Sequence, residues 1–167
     1  MHSGAGGIHF LQSPLFHLVI MKSSAFVQCW DHHVPAIVTC GGISSVFIKS
    51  LDTEEHPEFH CVNMLWDTGA TASMISKRFV SAHHLTPIGK AKSFTCTGSI
   101  LVDLYKVNIL LPNKIEIENL TVLADELPDT DCLIGMDVIN LCDFVITHRE
   151  GRTKFAFQIP ANADIQF

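Results

Sequence analysis

Leu65-Trp66-Asp67-Thr68-Gly69-Ala70-Thr71 runs from two large apolar residues into an acid, a hydroxyl residue and a glycine. Apolar residues that stop at Asp-Thr-Gly read as a strand entering a tight turn, with Gly69 supplying the backbone freedom the turn needs. A carboxylate at the end of a rigid strand, with backbone N–H groups and the Thr68 hydroxyl available to orient it, is what a catalytic acid or base requires. The same tripeptide also ends strands whose Asp bonds only its own backbone, an ordinary use of Asp before Gly. Alone, Asp-Thr-Gly does not choose between the two.

A second stretch, Asp131-Cys132-Leu133-Ile134-Gly135-Met136-Asp137-Val138-Ile139, reads as a buried strand, a glycine and a short helix. Asp137 falls in the first helical turn, where the helix dipole favours an acid. Together the two stretches resemble the retropepsin family of aspartic proteases, the single-lobe relatives of pepsin. That family carries an Asp-Thr-Gly-Ala loop after an apolar strand and, downstream, two apolar residues plus Gly opening a helix. Here these are Asp67-Thr68-Gly69-Ala70 and Leu133-Ile134-Gly135, with Asp67 and Gly135 standing 68 positions apart.

The resemblance covers about residues 41–160 and implies an all-β fold, a retropepsin-like closed β-barrel lobe with one or two short helices. It implies Asp67 as the catalytic carboxylate, Thr68, Gly69 and Ala70 as the active-site loop, and Leu133, Ile134 and Gly135 as the apolar support beneath it. Phe94 to Ile100, with Thr97 and Gly98 near its tip, is the implied substrate-covering flap, short for the family. The implied chemistry is peptide-bond hydrolysis by two carboxylates sharing one proton, without a cofactor. Because the chain has a single Asp-Thr-Gly, the resemblance implies a homodimer acting on a peptide or protein substrate.

Length and composition set the outer limits. At 167 residues the chain holds one domain and a short extension, and two large lobes do not fit. The expected division is residues 1–40 as an N-terminal extension, 41–160 as the domain and 161–167 as a tail. A net charge of −6 with scattered acids argues against a nucleic-acid or membrane-surface partner, since both want a basic face. A mean hydropathy of +0.29 argues against intrinsic disorder. The six cysteines include no Cys-x-x-Cys pair and read as separate reduced thiols, which points to a cytoplasmic setting. Met1 to Met21, broken by Gly6, Gly7 and Pro14, resembles neither a signal peptide nor a spanning helix.

From Gly41-Gly42 onward, short β-rich runs alternate with turn residues. Strands are predicted over 43–50, 59–66, 93–97, 100–111, 115–124, 132–134, 144–148 and 153–159. Pro112-Asn113 and Glu150-Gly151 are predicted hairpin turns. Ser76 is placed to cap a helix through His84 that buries Phe79, Val80 and Ala82, ending before Thr86-Pro87. Met136 to Leu141 is a second predicted helix.

Competing chemistries have less support. Cys29, His32, His33 and Cys40 are zinc-type ligands without a paired-ligand spacing, and His56-Pro57-Glu58-Phe59-His60 is interrupted by a proline, so no metal site is expected. Asp129-Thr130-Asp131 lacks the glycine of the catalytic loop and reads as a connecting turn. The alternative from another class is a non-catalytic retropepsin-like dimer that binds peptides or proteins, since a fold does not by itself confer activity.

Overall fold

The computed structural model describes residues 24–46, 58–95 and 98–161. Seven strands form one sheet: β2 (Val38–Ser45), β3 (His60–Trp66), β4 (Met74–Ser76), β5 (Gly89–Thr95), β6 (Gly98–Leu111), β7 (Ile115–Asp125) and β8 (Cys132–Ile134). Its order is β2-β3-β8-β4-β7-β6-β5, and β6 also pairs with β2. That extra pairing closes six strands into a barrel and leaves β5 as a flange on β6. The β3–β8 and β4–β7 pairs are parallel, and the remaining ladders are antiparallel.

The barrel fills because strand alternation sends every second residue inward. Ile43, Met64, Ile75, Val107, Ile109, Val122 and Ile134 are fully buried. The predicted strand at 43–50 is observed five residues earlier, at Val38–Ser45. Gly41-Gly42, read in the sequence as a boundary, lies inside the strand for reasons of space. A Cβ on Gly41 would lie 2.5 Å from the Leu110 carbonyl oxygen and 2.6 Å from the Met64 methyl. Residues 47–50 of the predicted strand lie outside the described residues.

A second sheet of three strands, β1 (Ser24–Trp30), β10 (Arg152–Ile159) and β9 (Asp143–Arg149), packs against the barrel in the order β1-β10-β9. Trp66 makes that junction. Its ring lies 5.1 Å from Phe155 and 5.2 Å from Phe157, while its Nε1–H donates to Thr39 Oγ1 at 3.0 Å. The predicted Glu150-Gly151 hairpin is present, with both residues at positive φ (54° and 75°), the conformation that matches strand twist in a two-residue turn. At the other hairpin, Pro112–Lys114 forms a single 3-10 turn with Asn113 and Lys114 at positive φ. Strand β1 was not predicted, because its inward residues Phe26, Gln28 and Trp30 alternate with Ala25, Val27 and Cys29, and neither face is cleanly polar.

Two short α-helices lie among the described residues, α1 (Lys77–Ala82) and α2 (Met136–Ile139). Ser76 caps α1 as its sequence position suggests, accepting the Phe79 N–H at 2.9 Å. Of the three predicted core residues of α1, Phe79 is buried and Val80 half-buried, whereas Ala82 is exposed. The helix stops two residues earlier than predicted. His83 turns onto the protein instead, stacking on His60 with ring centroids 3.8 Å apart. Among the described residues no helix is long and apolar enough to cross a membrane.

Candidate active site

Asp67 follows the last residue of β3, and the end of that strand is held from both sides. The Trp66 N–H donates to the Ile37 carbonyl and the Asp67 N–H to the Ile134 carbonyl, each at 3.0 Å. Ile134 ends β8, whose parallel register sets Leu65 beside Leu133 and Trp66 beside Ile134. Ile134 is fully buried and Leu133 nearly so, and these two predicted support residues therefore form a firm floor next to the turn.

Beyond this floor the chain turns sharply. The Ala70 N–H reaches the Asp67 carbonyl at 3.3 Å, and the Gly69 N–H donates to Asp67 Oδ1 at 2.8 Å. Asp67 is half-buried, while Thr68 and Gly69 are exposed. No hydrogen bond links the Thr68 hydroxyl to Asp67 among the described residues, so the oriented donor on the carboxylate is the Gly69 amide. Gly69 is not at positive φ. Its requirement is space, because a Cβ there would sit 3.1 Å from Asp67 Oδ1 and crowd the bonded carboxylate.

A second layer holds the loop to α2. The Met136 N–H donates to the Ala70 carbonyl at 2.8 Å. Ser73, fully buried, accepts the Gly135 N–H on its Oγ at 3.0 Å and donates that hydroxyl to Asp137 Oδ1 at 2.7 Å. Both Asp137 oxygens also accept the Ser73 backbone N–H, at 3.0 and 2.9 Å. The acid assigned from sequence to the helix dipole therefore ties the two motifs together. Ser73 was missed in the sequence because its partner is distant in the chain and a lone Ser has no signature. Gly135 fits this joint for lack of a side chain, since a Cβ would come within 2.5 Å of the Ala72 backbone carbon.

Asp131 stands at the opposite end of β8 from Ile134. It accepts from Ser76 Oγ at 2.7 Å and from Arg78 Nη2 at 2.7 Å. Burial raises its carboxyl, but the hydrogen bonds from Ser76 and Arg78 and the guanidinium charge outweigh burial and leave it below the usual range. This acid anchors α1, and Thr130 beside it is bonded to the Asn63 and Cys132 carbonyls.

On one flank of Asp67 and Thr68 a shallow cavity of about 240 Å3 is walled by Pro35, Ile37, Ile139, Phe144 and Ile146. Elsewhere, β5 and β6 pair from Gly89 opposite Leu104 to Thr95 opposite Gly98. The hairpin is thus longer than the 94–100 segment marked in the sequence. Gly98 has φ 137°, a conformation that favours glycine, while Thr97 lies outside the described residues. Among the described residues no three His, Cys, Asp or Glu side chains converge to hold a metal ion. His32 instead bonds Asp31, and His33 packs on His148.

Residues 59–140 match the family model described as "gag-polyprotein putative aspartyl protease". A search of curated proteins finds no match. Among solved structures, the chain is similar to a retropepsin-like aspartic protease from Rickettsia conorii, at 8% identity and a TM-score of 0.49, covering 83% of this chain and 96% of that one. The matched residues 59–140 hold both the Asp67 loop and the Leu133-Ile134-Gly135 strand end, so the part of the chain that carries the candidate site is the part that matches the aspartyl protease family model.

Proposed function

We propose that the chain is an aspartic endopeptidase whose catalytic dyad forms from Asp67 and the Asp67 of a second copy. The observation that carries this reading is the Asp67 turn itself. One carboxylate is oriented by the Gly69 amide on a doubly clamped strand end, and the turn faces outward with Thr68 and Gly69 exposed. A turn that served only to end a strand has no need of the Ser73–Asp137 joint behind it.

In the dimer, two carboxylates brought within about 3 Å cannot both ionise, so they share one proton. The ionised member takes a proton from a water held between them, and that water attacks the scissile carbonyl. The protonated member donates to the carbonyl oxygen as the tetrahedral intermediate forms. Thr68 then sits where each loop meets its copy, as the family pattern implies, and the β5–β6 hairpin with Gly98 near its tip serves as the flap that covers a bound peptide.

Sedimentation of the purified chain, paired with peptide-library cleavage by wild type and Asp67→Asn, tests this. A wild-type dimer that cuts, and an Asp67→Asn dimer that is folded and inert, is the expected result. A strict monomer at working concentration, or cleavage that survives Asp67→Asn, overturns it. Peptide binding without cleavage by the wild-type dimer would make the chain a binding module.

A further inference from the structure

Cys40 on β2 and Cys61 on β3 bring their Sγ atoms to 3.4 Å, and both residues are exposed. The ladder sets Cys40 opposite Asn63 and Gly42 opposite Cys61, so the two cysteines stand diagonally across neighbouring antiparallel strands. They share the outer face of the barrel, because Thr39, Val62 and Met64, which alternate with them, are buried. Diagonal neighbours are about 7–8 Å apart at Cα, and sulfur contact therefore requires both side chains to lean toward each other. Two thiols in contact and open to solvent differ from the chain's inward cysteines. Cys132 is fully buried, and burial pushes the Cys142 thiol up to about 12.

We propose that Cys40 and Cys61 form an oxidisable dithiol that closes to a reversible intramolecular disulfide by exchange with a small-molecule disulfide of the glutathione class. In the first step the thiolate of one cysteine attacks a sulfur of the oxidised glutathione. The S–S bond of the reagent breaks, and one glutathione leaves as a thiolate that takes up a proton. In the second step the neighbouring cysteine, deprotonated, attacks the protein sulfur of the mixed disulfide and expels the second glutathione. The protein is oxidised by two electrons and loses two protons, and the reagent is reduced to two thiols.

Neighbouring geometry favours the second step over a lasting mixed disulfide. The second thiol already touches the sulfur it must attack; the sulfurs close by about 1.4 Å to bonding distance, and β2 and β3 draw together locally to bring the two Cα atoms within the disulfide span of about 6.8 Å. Hydrogen bonding to Cys61 pushes the Cys40 thiol up, so the exchange accelerates as pH rises above neutral. Closure staples β2 to β3, the strand that leads into Asp67, and cross-links the chain from residue 40 to residue 61. Restricting a loop of about twenty residues in the unfolded chain raises stability. Exposure keeps the bond open to reduction by monothiols, which makes it reversible.

The test incubates the reduced full-length chain with oxidised glutathione at mildly alkaline pH, followed by intact mass, peptide mapping and thermal melting. Expected are a loss of two hydrogens, a Cys40–Cys61 linked peptide, a melting temperature raised by several degrees and reversal by dithiothreitol. Cys40→Ser and Cys61→Ser should each instead carry one glutathione on the remaining member of the pair and show no such rise. Stable glutathione adducts on both Cys40 and Cys61 of the wild type, absence of the linked peptide, or a linked peptide with an unchanged melting temperature would overturn the proposal.

Discussion

Ser73 and Asp137 lie 64 positions apart in sequence, yet the Asp137 carboxylate accepts both the backbone N–H and the hydroxyl of Ser73. This joint couples the Asp67 loop to the helix that follows Gly135. Hydrogen bonds to a charged acceptor contribute about 1.5–3 kcal/mol, and a buried donor left unpaired costs a similar amount. Asp137→Ala should destabilise by about 3 kcal/mol, lowering the melting temperature by roughly 6–12 °C for a chain of this size. Asp137→Asn keeps the shape and one acceptor and should lose less. Calorimetry of the three proteins decides it; equal losses for Ala and Asn would show that the acceptor count is irrelevant.

Gly135→Ala tests the close approach at the same joint. The added Cβ meets backbone of Ala72, not the end of a flexible side chain, and the loop must move as a whole. The expected loss is about 3 kcal/mol, at the upper end of overpacking costs. Denaturant unfolding measures it, and a loss below about 1 kcal/mol would show that the loop yields freely.

Asp131 gives a pH-dependent stability term. Its folded carboxyl lies below the ordinary value, so folding is favoured when the group is ionised. That contribution is present above the unfolded carboxyl value of about 3.9 and is lost as pH falls through the lower folded value. Asp131→Asn should therefore lower the melting temperature near pH 7 and converge with wild type under strongly acid conditions. Melting curves from pH 7 down to about 2 check this, and a pH-independent difference would assign the effect to packing alone.

The proposed dyad predicts its own pH dependence. Activity requires one shared proton and should fall on the alkaline side, where both carboxylates are ionised, as well as under strong acid. A peptide-cleavage profile, with each protein's fold monitored at the same pH, makes the measurement. A rate that stays flat far into the alkaline range would rule out a carboxylate pair.

What could be read in the sequence was local. The Pro112-Asn113 and Glu150-Gly151 turns, the Ser76 cap and the strands ending at Trp66 and Ile134 each depend on a few adjacent residues, and each is present. β4, three residues long, has no period to detect, and β1 hid because both of its faces carry apolar residues. In the sequence Gly41-Gly42 marks only where the β-rich pattern begins, whereas the packing of Leu110 and Met64 against Gly41 explains its place inside a strand.

The sequence by itself determined most of the strands and both short helices along the chain, the single Asp-Thr-Gly and hence the need for a second carboxylate in the proposed chemistry. Those are properties of neighbouring residues and of count. Only the tertiary structure decided that the Gly69 amide orients Asp67, that Ser73 and Asp137 lock the two motifs together, and that Cys40 and Cys61 touch. The first is a turn geometry that the residue types alone do not specify; the other two depend on barrel closure and strand register, which bring distant residues to within hydrogen-bond or van der Waals reach and leave no mark on the residues between them.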